Sequence, residues 1–229
     1  MIEVKNITKT YGKKRNAFVA LKEASFTIPD GTSVAILGKS GSGKSTLMHA
    51  MSGLDRPETG EVVIDGVDIL RMKSKQIDIF RSKRMSFIFQ SFFVQANESC
   101  YDNVSLPLEI ANVPPRKRNH MVVEALRAVE LYDKKKSRAR DLSGGQKQRL
   151  AVARAIVNEP TILFADEPTG NLDSVTGAVI EDLLFTYNKT RGVTLIIVTH
   201  DPELAAKCNM QIHIKDGVIE KINHKKGAN

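Results

Sequence analysis

Two hydrophobic periods alternate along this chain, and their order predicts its elements. Ala24, Phe26 and Ile28 alternate with polar neighbours, the period of a half-buried strand. Pro29-Asp-Gly31 then turns the chain into Thr32-Ser-Val-Ala-Ile-Leu37, a short β-prone apolar run. Thr46–Met51 predicts a helix closed by Ser52-Gly53. Glu61–Gly66 reads as a strand ending in a turn, and Met85–Phe89 as a buried strand. From about residue 91 to 158 the period lengthens. There Val122, Leu126 and Val129 share one helical face, and Leu150, Ala153, Ile156 and Val157 form another. Pro107, Pro114 and Pro115 fall where helix boundaries are expected. Strand-like runs return at Thr161–Ala165 and Val193–Thr199. Between them Val175, Val179, Leu183 and Tyr187 recur every four residues beside Ile180 and Leu184, predicting a core-facing helix. The tail His224–Asn229 reads as frayed. There is no internal repeat and no low-complexity linker. The pattern is that of an α/β sheet domain with a helical insertion.

Composition narrows the setting without choosing a function. A length of 229 residues suits one large domain or a core with a subdomain. The hydrophobic share of 41% and charged share of 26% are ordinary for a globular protein. Apolar runs such as Leu195–Val198 fall far short of the roughly 20 residues a membrane span needs. Met1–Asn6 lacks a signal-peptide core, so the expectation is a cytoplasmic chain that needs another polypeptide to reach across a bilayer. Cys100 and Cys208 have no metal-ligand spacing and read as free thiols. The net charge of +8 gathers at Lys13–Arg15, Arg81–Arg84, Arg116–Arg118 and Lys134–Lys136. These clusters read first as solvated surface and second as attraction to an anionic membrane leaflet. No aromatic-basic module accompanies them, so nucleic acid is not expected as a partner.

The chemistry begins at Gly38-Lys-Ser-Gly-Ser-Gly-Lys44-Ser45, which fits the phosphate-binding pattern Gly-x-x-x-x-Gly-Lys-Ser between a predicted strand and helix. Gly38, Gly41 and Gly43 let the backbone wrap phosphate oxygens without a Cβ in the way. Freed N–H groups and the helix N-terminus then face the anion. Lys44 is expected to bridge the β- and γ-phosphates, and the Ser45 hydroxyl to hold Mg²⁺. Gly38, Lys39, Ser40, Gly41, Ser42, Gly43, Lys44, Ser45 and Thr46 are the phosphate-site candidates.

A second anion site follows about a hundred residues later. Ser143 is a good N-cap, and Gly144 and Gly145 expose backbone N–H groups at a positive helix end. It has no phosphate-gripping lysine of its own. The full string Leu142-Ser-Gly-Gly-Gln146 is the signature of the ATP-binding-cassette (ABC) ATPases, and the whole chain resembles that family in motif order. The resemblance implies a P-loop NTPase (RecA-like) core with a mixed sheet, an N-terminal antiparallel β subdomain and an inserted α-helical subdomain. Residues 1–90 and 159–229 would form the core with the β subdomain, and 91–158 the helical part carrying the signature. It also implies a homodimer in which Ser143, Gly144, Gly145 and Gln146 touch the γ-phosphate of the partner's ATP.

Ile162-Leu-Phe-Ala-Asp166-Glu167 is an apolar strand ending in two carboxylates, the form of a Walker B segment. Asp166 is expected to orient Mg²⁺ and Glu167 to act as general base on the attacking water. Gln90 follows a buried strand, and its amide oxygen can reach the metal or the water. By resemblance it is the Q-loop glutamine, His200 the switch histidine, Asn171-Leu172-Asp173 the D-loop, and Tyr11 the aromatic that stacks on adenine. Stacking of that kind contributes about 1–3 kcal/mol.

Asp166–Asp173, Phe87–Gln90 and Asp102–Pro107 are similar to the cassettes of lipoprotein release, macrolide efflux and antimicrobial-peptide export. Ser91–Cys100 departs from that group where a membrane subunit would dock, and Ser137–Asp141 lacks the pattern of exporters fused to their membrane domain. The expected function is therefore ATP hydrolysis that powers a separate transmembrane permease, for export or extraction of a peptide, lipid-like or drug-like substrate. The chain would be peripheral on the inner face of the membrane. The alternative is a mechanotransmitting ATPase that regulates a membrane protein without transport.

Overall fold

The computed structural model describes residues 1–12 and 16–225. The basic cluster Lys13–Arg15 and the end of the tail therefore lie outside the described residues. Among the described residues ten strands form two sheets. Strands β1 (Ile2–Tyr11), β2 (Phe18–Ile28), β4 (Thr59–Ile64) and β5 (Val67–Asp68) make an antiparallel sheet in the order β2-β1-β4-β5. The second sheet has the order β10-β9-β3-β8-β7-β6, built from β3 (Ser33–Leu37), β6 (Met85–Phe89), β7 (Ile162–Asp166), β8 (Thr194–Thr199), β9 (Met210–Lys215) and β10 (Val218–His224). Its strands run parallel except β10, which pairs antiparallel with β9. The sheet is mixed.

The central strands read as continuous apolar runs because both of their faces are covered. All of β8 is buried. Successive side chains then divide between two cores, as a period of two requires. Leu163, Ala165, Leu195 and Ile197 pack with α3 (Cys100–Ile110), α4 (Pro115–Ala128), α5 (Gly144–Ile156) and α6 (Ser174–Arg191). Ile162, Phe164, Ile196 and Val198 face the other way, toward the antiparallel sheet, α1 (Lys44–Met51) and Ile77 of α2 (Ser74–Arg84). The last helix, α7 (Pro202–Lys207), follows β8.

Two readings of the pattern need correction. Pro107 lies inside α3 rather than at its end. An interior proline costs about 3 kcal/mol or more, but Val104 and Leu108 on either side are almost fully buried, and that packing carries the helix through. On α6 the core face is Ile180 and Leu184, both fully buried, whereas Val175 and Val179 are 75% and 45% exposed. A four-residue spacing overshoots the 3.6-residue turn, so that row winds around the helix and comes under partial cover only at Leu183 and Tyr187. His224 closes β10.

Candidate functional site

Parallel register sets the site. Leu37 pairs with Thr199, Asp166 with Val198 and Phe89 with Asp166, so β3, β8, β7 and β6 all end at one edge of the sheet. The loops that leave these C-terminal ends carry the candidate residues, the usual place for ligands in an open α/β sheet.

The phosphate loop leaves β3 at Leu37 and enters α1 at Lys44. Gly43 precedes the helix with φ 105°, and a Cβ there would sit 2.6 Å from the Ala20 carbonyl oxygen. Glycine alone meets both conditions. Helix α1 starts without a side-chain cap, which leaves its first-turn N–H groups for an anion. Lys44 Nζ donates to the carbonyls of Gly38 and Lys39 at 2.9 and 3.0 Å, folding over the loop. The buried Ser42 Oγ, beside Gly38, has no hydrogen-bond partner among the described residues.

Ser45 Oγ donates to Asp166 Oδ2 at 3.4 Å, joining the phosphate loop to the end of β7. Burial, and then the neighbouring Glu167, push the Asp166 carboxyl above its ordinary range, against the pull of Ser45, His49 and Lys44. An under-compensated carboxylate beside a hydroxyl is a donor set that fits Mg²⁺. Among the described residues no three His, Cys, Asp or Glu side chains gather around a metal position. A cation here would complete its shell with phosphate and water oxygens, as Mg²⁺ usually does.

Glu167 has a left-handed backbone, φ 45°, held by its N–H donating to the Val198 carbonyl at 2.9 Å. That twist turns its side chain from Asp166 toward the end of β8. Its carboxylate accepts from Thr199 Oγ1 at 3.5 Å and lies 2.8 Å from His200 Nδ1. Gln90 and Asn171 pair reciprocally: Gln90 Nε2 donates to Asn171 Oδ1 at 3.2 Å, and Asn171 Nδ2 to the Gln90 carbonyl at 3.0 Å. Tyr11 ends β1 and is 41% exposed.

Ser143 and Gln146 close a capping box on α5. Ser143 Oγ accepts from the Gln146 N–H at 3.3 Å, and Gln146 Oε1 from the Ser143 N–H at 3.1 Å. Gly144 is more open, whereas a Cβ on Gly145 would meet Thr176 Cγ2 at 2.3 Å. Thr176 in turn bonds Asp173, the cap of α6, which follows Asn171 and Leu172. Among the described residues no hydrogen bond joins Ser143–Gln146 to the phosphate loop.

Two residues escaped the sequence reading. Gln148, fully buried on α5, donates to the Pro168 carbonyl at 2.6 Å and ties the signature helix to the residue after Glu167. Arg154 donates to the carbonyls of Phe92 and Phe93 at 3.1 and 2.7 Å, and burial lowers its basicity. The signal for Gln148 was present: it stands four residues before the buried Val152, a polar residue on an apolar stripe.

A glycine-rich loop between a parallel strand and a helix, with two carboxylates ending a nearby strand, defines a P-loop nucleoside triphosphatase. Residues 21–170 match the family model described as ABC transporter. The chain is 42% identical over 219 residues to the lipoprotein-releasing system ATP-binding protein LolD of Syntrophus aciditrophicus, covering 96% of this chain and 98% of that one. It is 38% identical over 225 residues to the bacitracin export ATP-binding protein BceA of Halalkalibacterium halodurans, covering 98% and 89%. A dimeric ATP-binding cassette, solved in a post-hydrolysis state bound to ADP and Pi, matches with a TM-score of 0.91 at 37% identity over 99% of this chain and 100% of that one. The chain belongs to the ABC transporter family, as an ATP-hydrolysing ATP-binding subunit. Among the described residues no helix is long and apolar enough to cross a membrane.

Proposed function

We propose that two copies of this chain close head to tail around two ATP molecules, and that hydrolysis drives a separate membrane permease. The observation that carries this reading is the incomplete site. The phosphate loop and the signature helix are joined by no hydrogen bond among the described residues, and Ser143 and Gln146 cap only their own helix. The Ser143 hydroxyl proton and the N–H groups of Gly144 and Gly145 stay available to the γ-phosphate of a partner's ATP.

Within one subunit, Lys44 and the Gly38–Thr46 loop grip the phosphates, and Tyr11 meets the adenine. Ser45 and Asp166, with Gln90, hold Mg²⁺, which supplies charge neutralisation on the phosphate oxygens. Glu167 accepts the proton of the attacking water, and His200 and Thr199 orient its carboxylate. Gln90 and the Asn171–Asp173 segment report the γ-phosphate to Ser91–Cys100 and across the dimer. Residues 91–158 are the helical unit that carries the signature, set on a core of 1–90 and 159–229. Lipoprotein release and bacitracin export, the roles of the two relatives, support extraction or export of a lipid-like or peptide substrate at the inner face of the membrane.

The test is ATPase rate against protein concentration, for the native chain and Ser143→Arg. Activity per subunit should rise with concentration in the native chain and be lost in the variant, while each variant subunit still binds ATP. A rate per subunit that is flat with concentration and untouched by the substitution would overturn the shared site.

A further inference from the structure

Tyr11 and the phosphate loop belong to different sheets, so something must align the base platform with the phosphate grip. Tyr11 is the last residue of β1, paired with Phe18 in the antiparallel sheet. Helix α1, which starts at the phosphate loop, packs under the parallel sheet. The segment after α1 bridges the two. The N–H groups of Leu54 and Asp55 both donate to the His49 carbonyl, at 2.9 and 3.2 Å, which locks Asp55 to the end of α1.

From that position Asp55 reaches the end of β1 with both carboxylate oxygens. Its Oδ2 accepts the Tyr11 hydroxyl at 2.6 Å, and its Oδ1 accepts Lys9 Nζ at 2.6 Å. Lys9 is 9% exposed, also donates to the Arg56 carbonyl at 2.8 Å, and lies 5.0 Å from the centroid of the Tyr11 ring. One carboxylate therefore pins the ring at its tip and places a cation on one face. Tyr11 as a whole stays 41% exposed, which gives a base access to it. Thr46, the residue after Ser45, also lies at the Tyr11 hydroxyl. Neighbouring bonds repeat the tie: the Thr10 N–H donates to Glu58 Oε2 at 2.7 Å, and the Glu58 N–H to the Thr8 carbonyl at 3.0 Å.

We infer that Asp55 is a positioning residue for nucleotide recognition, holding the Tyr11 ring in register with the phosphate loop through a Tyr11–Asp55–Lys9 triad. The inference rests on the reading of Tyr11 as the adenine platform. Stacking is geometry-dependent, so a ring that swings free loses base affinity while the phosphate loop keeps its own. The Tyr11 hydroxyl, which stacking itself does not need, is assigned a purpose.

The experiment measures binding of ATP and of inorganic tripolyphosphate, which has no base, to the full chain by titration calorimetry. Asp55→Asn keeps the shape but removes the nearer of the two carboxylates that face Lys9, Asp55 Oδ1 at 2.6 Å and Glu58 Oε1 at 4.0 Å. Tyr11→Phe removes only the hydroxyl from an exposed ring and spares the fold. Each should weaken ATP about three- to tenfold, part of what full stacking contributes, and leave tripolyphosphate within about twofold. The double variant should bind ATP about as the singles do, because both break one linkage. Unchanged ATP affinity in Asp55→Asn and Tyr11→Phe, or equal losses of ATP and tripolyphosphate, would overturn the positioning role. Tyr11→Ala separates the two levels. If it too leaves ATP affinity unchanged, the adenine platform itself is wrong; if it alone loses ATP, only the triad is wrong.

Discussion

His200 Nδ1 stands 2.8 Å from Glu167 Oε1, across a gap of 33 residues in the chain. The imidazole is 73% exposed and the carboxylate 17%, so the histidine reaches inward from solvent to orient a mostly covered acid. Thr199 adds a weaker contact to the other oxygen at 3.5 Å. An acid held at both oxygens keeps one direction for taking a proton from water, which is what a general base requires.

Glu167→Gln should therefore lower ATP turnover by about 10²–10⁴-fold, the range for loss of a general base, with ATP binding retained. His200→Ala should cost less in turnover and little in affinity, because Thr199 still holds one oxygen. Steady-state ATPase assays beside equilibrium nucleotide binding check both. Turnover in Glu167→Gln close to the native rate would remove Glu167 from the base role.

Asp166 makes a prediction about stability. Its carboxyl is held above the ordinary range, first by burial and then by Glu167, so the ionised form at neutral pH destabilises the nucleotide-free fold. For an acid whose folded value is raised, this penalty is present above the folded value and disappears as pH falls through it. Asp166→Asn should raise Tm at pH 7, because the amide carries no charge to be buried. The gain should shrink as the buffer is taken below the Asp166 titration, and ATP hydrolysis should be lost throughout. Thermal scans at pH 7 and at pH values approaching 4 decide it; a Tm that drops at pH 7 contradicts the reading.

The two cysteines are free and buried. Burial raises both thiols, Cys208 to about 12. At pH 8 the thiolate needed for reaction is scarce at either position. A disulfide reagent added to the native chain should label neither within the time in which it labels both in denaturant. Rapid labelling of one under native conditions would place that cysteine at a surface that opens locally.

Much of this was legible in order along the chain. The phosphate loop is contiguous, and an apolar strand before it and a helix after it identify it without any distant partner. Asp166 and Glu167 follow the same logic at the end of β7. The two misreadings have one source. Periodicity says that a face is apolar, but not which neighbour covers it, so the pattern points Val175 and Val179 at a core that Ile180 and Leu184 fill. Pro107 reads as a boundary because local propensity carries no information about the packing of Val104 and Leu108.

By itself, then, the sequence determined the chemical inventory: a triphosphate loop, a pair of carboxylates and a signature cap, each written within a few consecutive residues. Tertiary structure alone decided the pairings: Ser45 with Asp166, Glu167 with His200, Gln90 with Asn171, Gln148 with Pro168 and Tyr11 with Asp55. Most of these join residues tens of positions apart. They meet because parallel register brings four strand ends to one edge and because the turn after α1 reaches the neighbouring sheet. A linear pattern encodes which side chains are present, whereas hydrogen bonds at 2.6–3.5 Å depend on how separate elements dock.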